Sequence, residues 1–287
     1  MPGVTDRVVI VTGAGGGLGR EYARLLAREG ALVVVNDLGS ARDGTGFGTA
    51  MADKVVGEIR AEGGAAVANY DSVATGDGAR SLIDTAVREF GAVHGIVNNA
   101  GILRDGSFAK MDEENWDAVL RVHLSGAYHV TSAAWSHFRE QGFGRIVMAT
   151  STSGLFGNFG QANYGAAKLG LVGLMNTLAI EGRKYDITVN AVAPMAATRM
   201  TADIAPADLL QKLPPAHVAP VVGYLVSDEC DDTGLVLIVG GGSVQRVQLF
   251  ANKPVLFPEV PTVDEVRENW SRITDMSDAQ PGVNPAG

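Results

Sequence analysis

The sequence has one cysteine, few aromatic residues and no long apolar segment. Cys230 stands alone among 287 residues, so an intrachain disulfide is impossible and nothing indicates an oxidising compartment. No stretch reaches the roughly 20 apolar residues of a membrane span, and the first residues lack the basic and apolar regions of a secretion signal. These absences favour a cytoplasmic protein with no membrane span.

Positive charge is also scarce. Lys and Arg total 23 against 32 Asp and Glu, which gives a net charge of −9. A nucleic-acid partner usually requires a basic surface, so this balance argues against one.

Apolar residues and glycine are abundant, at 46% of the chain and 37 residues respectively. Seven short apolar runs, rich in β-branched residues, are predicted to be strands buried on both faces, because they are almost continuously apolar. They lie at 7–13, 32–37, 65–71, 95–101, 145–151, 187–194 and 235–242. Helix-length segments separate them, at 18–29, 51–62, 78–90, 112–138 and 162–183. Repeated strand and helix units predict an α/β protein, with a parallel sheet covered by helices on both faces.

Two segments interrupt this repeat. Residues 38–50 form a glycine-rich insertion, predicted to be a mobile surface loop. Residues 243–287 are predicted to be a C-terminal extension that packs on the domain or on a partner subunit. The rest, residues 1–242, is predicted to be one domain.

A glycine-rich stretch, "VTGAGGGLGR", follows the first strand and begins a helix. Gly13 permits a sharp turn, while Gly17 and Gly19 let the backbone and the first N–H groups of the helix approach a pyrophosphate. Asp37 ends the second strand, where a carboxylate hydrogen-bonds the adenosine ribose of NAD. The same carboxylate would repel the 2′-phosphate of NADP, and no arginine adjoins it. NAD is therefore the predicted cofactor, and an Asp that merely caps a loop is the alternative.

A tyrosine and a lysine lie four positions apart in "ANYGAAKLG". On a helix, Tyr164 and Lys168 would share one face. A nearby ammonium favours the phenolate, so we expect Lys168 to lower the pKa of Tyr164 toward the range of an acid or base. An ordinary helix that contains both residues is the alternative.

These motifs together resemble the short-chain dehydrogenase/reductase family over residues 5 to about 240. They are "TGAGGGLG", "NNAG", "YGAAK" and Ser151 at the end of the fifth strand. The resemblance implies a doubly wound (Rossmann) sheet and places the proton chemistry on the Tyr-Lys pair. Tyr164 would be the general base in alcohol oxidation, Lys168 would hold the nicotinamide ribose, and Ser151 would orient the substrate oxygen.

The same resemblance implies further cofactor contacts. They would come from Leu18, Asp71, Ser72, Asn98, Ala100, Tyr164, Lys168 and Thr198. The sequence departs from the family at two places. His123 stands where many members have an asparagine, so it would act in catalysis through its backbone carbonyl or its side chain, or it would be a core histidine. The glycine that commonly follows Pro194 is missing, and this departure affects the position of Thr198. No metal ligand is predicted.

A narrower resemblance covers nearly the whole chain. The stretches "NNAGILRDGSFAKM", "GLFGNFGQANYGAAKLGL" and "EVRENWSRITDMSDA" are similar to the (3R)-hydroxyacyl-CoA dehydrogenase module of the type 2 multifunctional enzymes, also known as a 17β-hydroxysteroid dehydrogenase. The resemblance implies NAD-dependent oxidation of a (3R)-3-hydroxyacyl-CoA, with a fatty or steroid acyl group, in β-oxidation. A stand-alone bacterial homodimer is expected. Leu155, Phe156, Phe159 and Met195 are candidates for an acyl pocket or for core positions.

Three other functions stay open at this point. They are a 17β-hydroxysteroid dehydrogenase, an NADPH-dependent 3-oxoacyl-carrier-protein reductase, and a non-catalytic dinucleotide-binding protein.

Overall fold

Short β-branched strands alternate with helices along most of the chain. The computed structural model describes residues 2–197 and 211–282, and the chain divides into two compact units, Met1–Gln245 and Arg246–Gly287. The strands of the main sheet are β1 (Val8–Thr12), β2 (Leu32–Asn36), β3 (Ala65–Asn69), β4 (Gly95–Asn98), β5 (Gly144–Ala149), β6 (Ile187–Pro194), β7 (Val236–Gly240) and β8 (Ser243–Val247).

The sheet has the order β3-β2-β1-β4-β5-β6-β7-β8, and β1 to β7 pair in parallel. This order reverses direction between β1 and β4, which is where open α/β sheets bind their ligands. The predicted doubly wound fold is confirmed, with eight strands instead of seven. The sequence analysis missed β8 because its residues are mostly exposed and polar, so no apolar run marks it.

The helices cover the sheet in two groups. They are α1 (Gly17–Arg28), α2 (Ala50–Ala61), α3 (Gly76–Phe90), α4 (Glu113–Leu120), α5 (Gly126–Gln141), α6 (Thr152–Phe156), α7 (Ala162–Gly182) and α8 (Ala219–Leu225). Two further helices, α9 (Val263–Glu268) and α10 (Trp270–Ile273), belong to the second unit. In one group α1 packs on α2 and α8, and in the other α5 packs on α3 and α7. The core lies between these groups and the strands. Every residue of β1, β4 and β5 is buried, which explains their continuous apolar character.

The helix predicted over residues 112–138 is interrupted. Its first part is α4, its second part is α5, and a π-helical turn, Arg121–Ser125, joins them. A π-helical turn inserts an extra residue into the helix and rotates the side chains that follow. Hydrophobic periodicity did not predict it, because one inserted residue barely changes an apolar pattern.

The insertion at residues 38–50 is held by backbone hydrogen bonds. The N–H of Gly48 donates to the carbonyl of Leu38 at 3.1 Å, and the N–H of Leu103 donates to the carbonyl of Arg42 at 3.0 Å. The second bond ties the insertion to the segment after β4. Part of it therefore forms a wall of a cavity, described below.

The second unit contains a two-stranded antiparallel sheet, formed by β9 (Phe250–Ala251) and β10 (Gln280–Pro281), and two short helices. The two helices are α9 and α10. Thr262 and Glu265 form a reciprocal capping box at the start of α9. Across residues 2–197 and 211–282, no helix is both long enough and apolar enough to cross a membrane.

Candidate active site

The glycine-rich turn between β1 and α1 leaves the first N–H groups of α1 without a side-chain cap. Gly16 occupies the N-cap position and makes no side-chain hydrogen bond. A Cβ on Gly19 would lie 2.4 Å from the carbonyl oxygen of Gly13, so no other residue fits there without movement. Gly13 has a φ of +63°, which favours glycine. Free N–H groups at the start of a helix attract an anionic group.

Asp37 lies directly beside this turn. Its carboxylate accepts hydrogen bonds from the N–H of Gly15 at 2.8 Å and from the N–H of Gly39 at 2.7 Å. A Cβ on Gly15 would lie 2.7 Å from the carboxyl carbon of Asp37. The backbone of the turn therefore fixes the carboxylate in position.

A cavity of about 350 Å³ extends from this turn along the carboxyl ends of the strands. The predicted cofactor residues that line it are Gly13, Gly17, Leu18, Gly19, Asp37, Asp71, Ser72 and Ala100. Arg42 from the insertion, and Arg104 and Arg121 from the segments after β4, also line it. These arginines supply positive charge to a cavity that also contains two carboxylates.

Not every predicted cofactor residue reaches this cavity. Asn98 turns the other way, and its side-chain amide donates to the hydroxyl of Thr131 at 3.0 Å. Tyr164 and Lys168 lie outside the lining of this cavity. Thr198 falls outside the described residues.

The three predicted catalytic residues lie together at the carboxyl edge of the sheet. Ser151 follows β5 and caps α6, where its hydroxyl accepts from the N–H of Ser153 at 3.2 Å. Tyr164 and Lys168 lie one turn apart on α7, and the lysine Nζ is 5.4 Å from the centroid of the tyrosine ring. The hydroxyl of Ser151 is near enough to the phenol of Tyr164 to affect its pKa. The ammonium of Lys168 also donates to the carbonyl of Ala149 at 2.5 Å.

The electrostatics of this group differ from the sequence-based expectation. Burial raises the pKa of Tyr164 to about 12, although the hydroxyl of Ser151 opposes this rise. Burial also lowers the pKa of Lys168 to about 7, since the residue is only 4% exposed. Lys168 was expected to lower the pKa of Tyr164, but the pKa of the buried phenol is raised. A lysine that is partly neutral near pH 7 stabilises a phenolate weakly.

The sequence profile of the short chain dehydrogenase family matches residues 7–208. This chain belongs to the short-chain dehydrogenase family. The expectation of an oxidoreductase is confirmed, and the non-catalytic alternative is not supported.

Several relatives are similar to this chain over almost its whole length. A short-chain type dehydrogenase/reductase of Mycobacterium tuberculosis is 69% identical over 280 residues, which is 98% of each chain. Peroxisomal multifunctional enzyme type 2 of Mus musculus is 51% identical over 276 residues, and the match covers 95% of this chain but only 37% of that enzyme. A crystal structure of a short chain dehydrogenase from Mycobacterium avium has a TM-score of 0.84, at 41% identity and 98% coverage of each chain. The predicted resemblance to multifunctional enzyme type 2 is confirmed.

Two relatives, each 40% identical, have names that state a substrate. One is a hydroxyacyl-CoA dehydrogenase of Mycobacterium tuberculosis, matched over 263 residues, 85% of this chain and 80% of that one. The other is a 3-oxoacyl-[acyl-carrier-protein] reductase of Synechocystis, matched over 253 residues, 85% of this chain and 99% of that one.

Asn99 has a role in the site that the sequence analysis missed. Its side-chain amide donates to the carbonyls of Thr12 at 2.9 Å and Gly13 at 3.2 Å, which fastens the end of β4 to the glycine-rich turn. Successive residues of a strand point to opposite faces. Because of this alternation, the side chains of Asn98 and Asn99 cannot both face the cavity beside the glycine-rich turn.

His123 lies in the π-helical turn and is 3% exposed. Its Nε2 is close to the backbone of Ile102, and its ring meets the ring of Tyr164 edge-on, with centroids 5.2 Å apart. Burial, together with the charge of Lys168, lowers its pKa well below the ordinary value. His123 is thus a buried neutral side chain in contact with the tyrosine.

Proposed function

We propose that this dehydrogenase oxidises a (3R)-3-hydroxyacyl-CoA to the 3-ketoacyl-CoA, with NAD as the oxidant. The observation that carries the proposal is the grouping of Tyr164 with Ser151, whose hydroxyl lowers the pKa of the phenol, and with Lys168, one helical turn away. The similarity to multifunctional enzyme type 2 and to a named hydroxyacyl-CoA dehydrogenase supports this substrate class.

The cavity fits a nicotinamide dinucleotide. The close approach at Gly19 and the uncapped start of α1 form a cradle for a pyrophosphate. Asp37 would bind the adenosine ribose, Asp71 and Ser72 would lie by the adenine, and Lys168 would hold the nicotinamide ribose. When bound, the dinucleotide supplies the hydride acceptor. We propose no side-chain contact from Asn98, because its amide is already used by Thr131.

The protein residues move the proton. Ser151 would bind the substrate hydroxyl oxygen and orient it toward Tyr164. The tyrosine phenolate would take the hydroxyl proton as the carbon-oxygen double bond forms, which makes Tyr164 the general base. Because burial raises the pKa of Tyr164 to about 12, formation of the phenolate requires positive charge nearby. Lys168 supplies it when protonated.

Exposed aromatic side chains near Ser151 suit an apolar acyl group. Phe156 is 69% exposed and Phe159 is 90% exposed, so neither is a core residue. Phe156 ends α6, which begins directly after Ser151. The two rings therefore support an acyl or steroid side chain as the substrate.

A carrier-protein reductase that uses NADPH is the second candidate. Two observations favour it: Arg42 lines the same cavity as Asp37, and a named reductase of this type is 40% identical. Arginine is the residue that accommodates a 2′-phosphate. Asp37 opposes that role by its charge, so NAD remains the proposed cofactor.

The test follows nicotinamide absorbance with purified protein. NAD and NADP are offered separately, each with the (3R) and (3S) forms of a medium-chain 3-hydroxyacyl-CoA and with a steroid alcohol. We expect turnover of the (3R) thioester with NAD, and loss of it in Tyr164→Phe. Turnover only with NADP, or only of the steroid, would replace the proposal with one of the alternatives.

Assembly and location form a separate part of the proposal. We propose a cytoplasmic homodimer of bacterial origin. The 69% identical relative from Mycobacterium tuberculosis supports the bacterial origin. Light scattering is expected to give twice the chain mass, and a monomer would contradict the proposed dimer.

A further inference from the structure

His123 contacts two parts of the site that are far apart in sequence. Its Nε2 lies 3.0 Å from the backbone nitrogen of Ile102 and 2.8 Å from the carbonyl oxygen of the same residue. On its other side the imidazole meets the ring of Tyr164 at an interplanar angle of 87°. The side chain of His123 therefore lies between the segment after β4 and the proposed base, Tyr164 on α7, and contacts both.

Gly101 makes room for this arrangement. A Cβ at that position would lie 2.2 Å from Cε1 of His123 and 3.0 Å from each ring nitrogen. The imidazole therefore packs directly on the backbone of Gly101. The π-helical turn supplies the extra residue that turns the His123 side chain inward.

The segment that His123 holds, residues 101–104, also borders the dinucleotide cavity, through Gly101, Ile102 and Arg104. Further along, the guanidinium Nε of Arg104 donates to the carbonyl of Asp43 at 2.9 Å. The carbonyl of Arg104 accepts from the side chain of Asn163, the residue before Tyr164, at 3.0 Å. Segment 101–104 is thus joined to the insertion on one side and to α7 on the other.

One nitrogen of the imidazole makes no hydrogen bond to the described residues. This nitrogen, Nδ1, is buried. The titratable groups that face it are Lys168 and Tyr164 on α7, whereas residues 101–102 present backbone and apolar atoms. A buried neutral ring with one nitrogen held by backbone suits a structural contact better than proton transfer.

We propose that His123 is a positioning residue, which fixes the ring of Tyr164 against segment 101–104 and thereby sets the base in register with the dinucleotide cavity. The inference rests on the proposed role of Tyr164. In this proposal the two parts of His123 act differently. The imidazole ring positions Tyr164, whereas Nε2 holds the backbone of Ile102 at the wall of the cavity.

Three variants separate these tasks. His123→Ala removes both, His123→Gln keeps an amide that can meet the N–H and carbonyl of Ile102, and His123→Phe keeps only the ring. His137→Ala, in α5 directly after the π-helical turn and outside the lining of the dinucleotide cavity, is the matched control. For each variant we would measure the NADH dissociation constant by fluorescence, kcat and KM for the (3R) thioester, and thermal unfolding.

We expect His123→Ala to lower kcat about 10- to 100-fold, because small misplacements of reacting groups have effects of that order. Its NADH dissociation constant should rise, while KM for the thioester stays within about twofold, since the ring touches no proposed acyl residue. His123→Gln should recover NADH binding but not kcat, and His123→Phe should recover kcat but not NADH binding. The control should match the wild type in both.

Two results would overturn the inference. The first is wild-type kcat and NADH binding in His123→Ala, or equal losses of both in the Gln and Phe variants. The second is an imidazole that titrates between about pH 6 and 9 by nitrogen NMR, together with an ionisation in the kcat profile that His123→Phe removes. That would indicate proton transfer. If the wild type fails to oxidise the thioester, the proposed function fails, while NADH binding and the NMR titration still test His123.

Discussion

The proposed dinucleotide end and the proposed catalytic end of the site are built in different ways. At the proposed dinucleotide end, glycines and backbone N–H groups from one short stretch would form the cradle, and they also fix Asp37. At the catalytic end, Tyr164 depends on side chains from distant segments, including Ser151 and His123. A short motif therefore determines the first end, whereas the properties of the second depend on tertiary packing.

The largest expected effect comes from a substitution at the catalytic end alone, which removes the proposed base. Tyr164→Phe should lower kcat by about 10²- to 10⁴-fold, the usual contribution of a positioned acid or base, because the phenol oxygen is lost. NADH binding should change little, since Tyr164 lies outside the lining of the dinucleotide cavity. Steady-state kinetics and NADH fluorescence measure the two effects. Tyr128→Phe, at an exposed site, is the control. Full turnover in Tyr164→Phe would exclude it as the base.

A substitution at Gly19 is expected to have the reverse effect, a loss of NADH binding. A valine there must push the backbone near Gly13 aside, because its Cβ would lie 2.4 Å from that carbonyl oxygen. Overpacking of this kind costs about 1–3 kcal/mol, which corresponds to about 5- to 150-fold weaker NADH binding. Calorimetric titration measures it. Gly57→Val, in α2 with open space around it, should bind as the wild type does. Unchanged binding in Gly19→Val would contradict the cradle.

Asp37 tests the choice of cofactor. Asp37→Ala removes the charge that repels a 2′-phosphate and leaves Arg42 in the cavity. The ratio of kcat/KM for NAD to that for NADP should fall by about tenfold or more, since like-charge repulsion costs several kcal/mol. Asp84→Ala, on the exposed side of α3, should leave the ratio unchanged. An unaltered ratio in Asp37→Ala would remove Asp37 as the selective residue.

The last expected effect is on folding instead of catalysis or binding: a change of stability with pH. The pKa of Lys168 is lowered to about 7 in the folded protein, against about 10.4 in an unfolded chain. Between these values the unfolded chain binds more protons, so Lys168 makes the folded state gain stability as pH rises, by up to about 1.4 kcal/mol per pH unit. Below about pH 7 both states are protonated and this dependence ends.

Thermal unfolding of the wild type and Lys168→Met between about pH 6 and 10 tests this effect. The wild type should gain stability relative to the variant as pH increases above 7. Parallel curves would show that Lys168 keeps an ordinary pKa.

Much of the fold and of the site could be predicted from local sequence. The strands were recognisable because β-branched residues are buried on both of their faces, and the turn at Gly13 because it lies between a strand and a helix. The π-helical turn was not recognisable, since its effect depends on packing around His123. The pKa of Tyr164 was expected to fall and instead rises, because burial is a property of the assembled structure.

The most direct test follows hydrogen from the substrate. A (3R)-3-hydroxyacyl-CoA with deuterium on carbon 3 is incubated with the protein and NAD, and the reduced dinucleotide is analysed by mass spectrometry. We predict that the deuterium appears in the reduced dinucleotide, and that Tyr164→Phe produces far less of it. A 3-ketoacyl-CoA formed without deuterium in the dinucleotide, or no oxidation of the (3R) thioester, would contradict the proposed function.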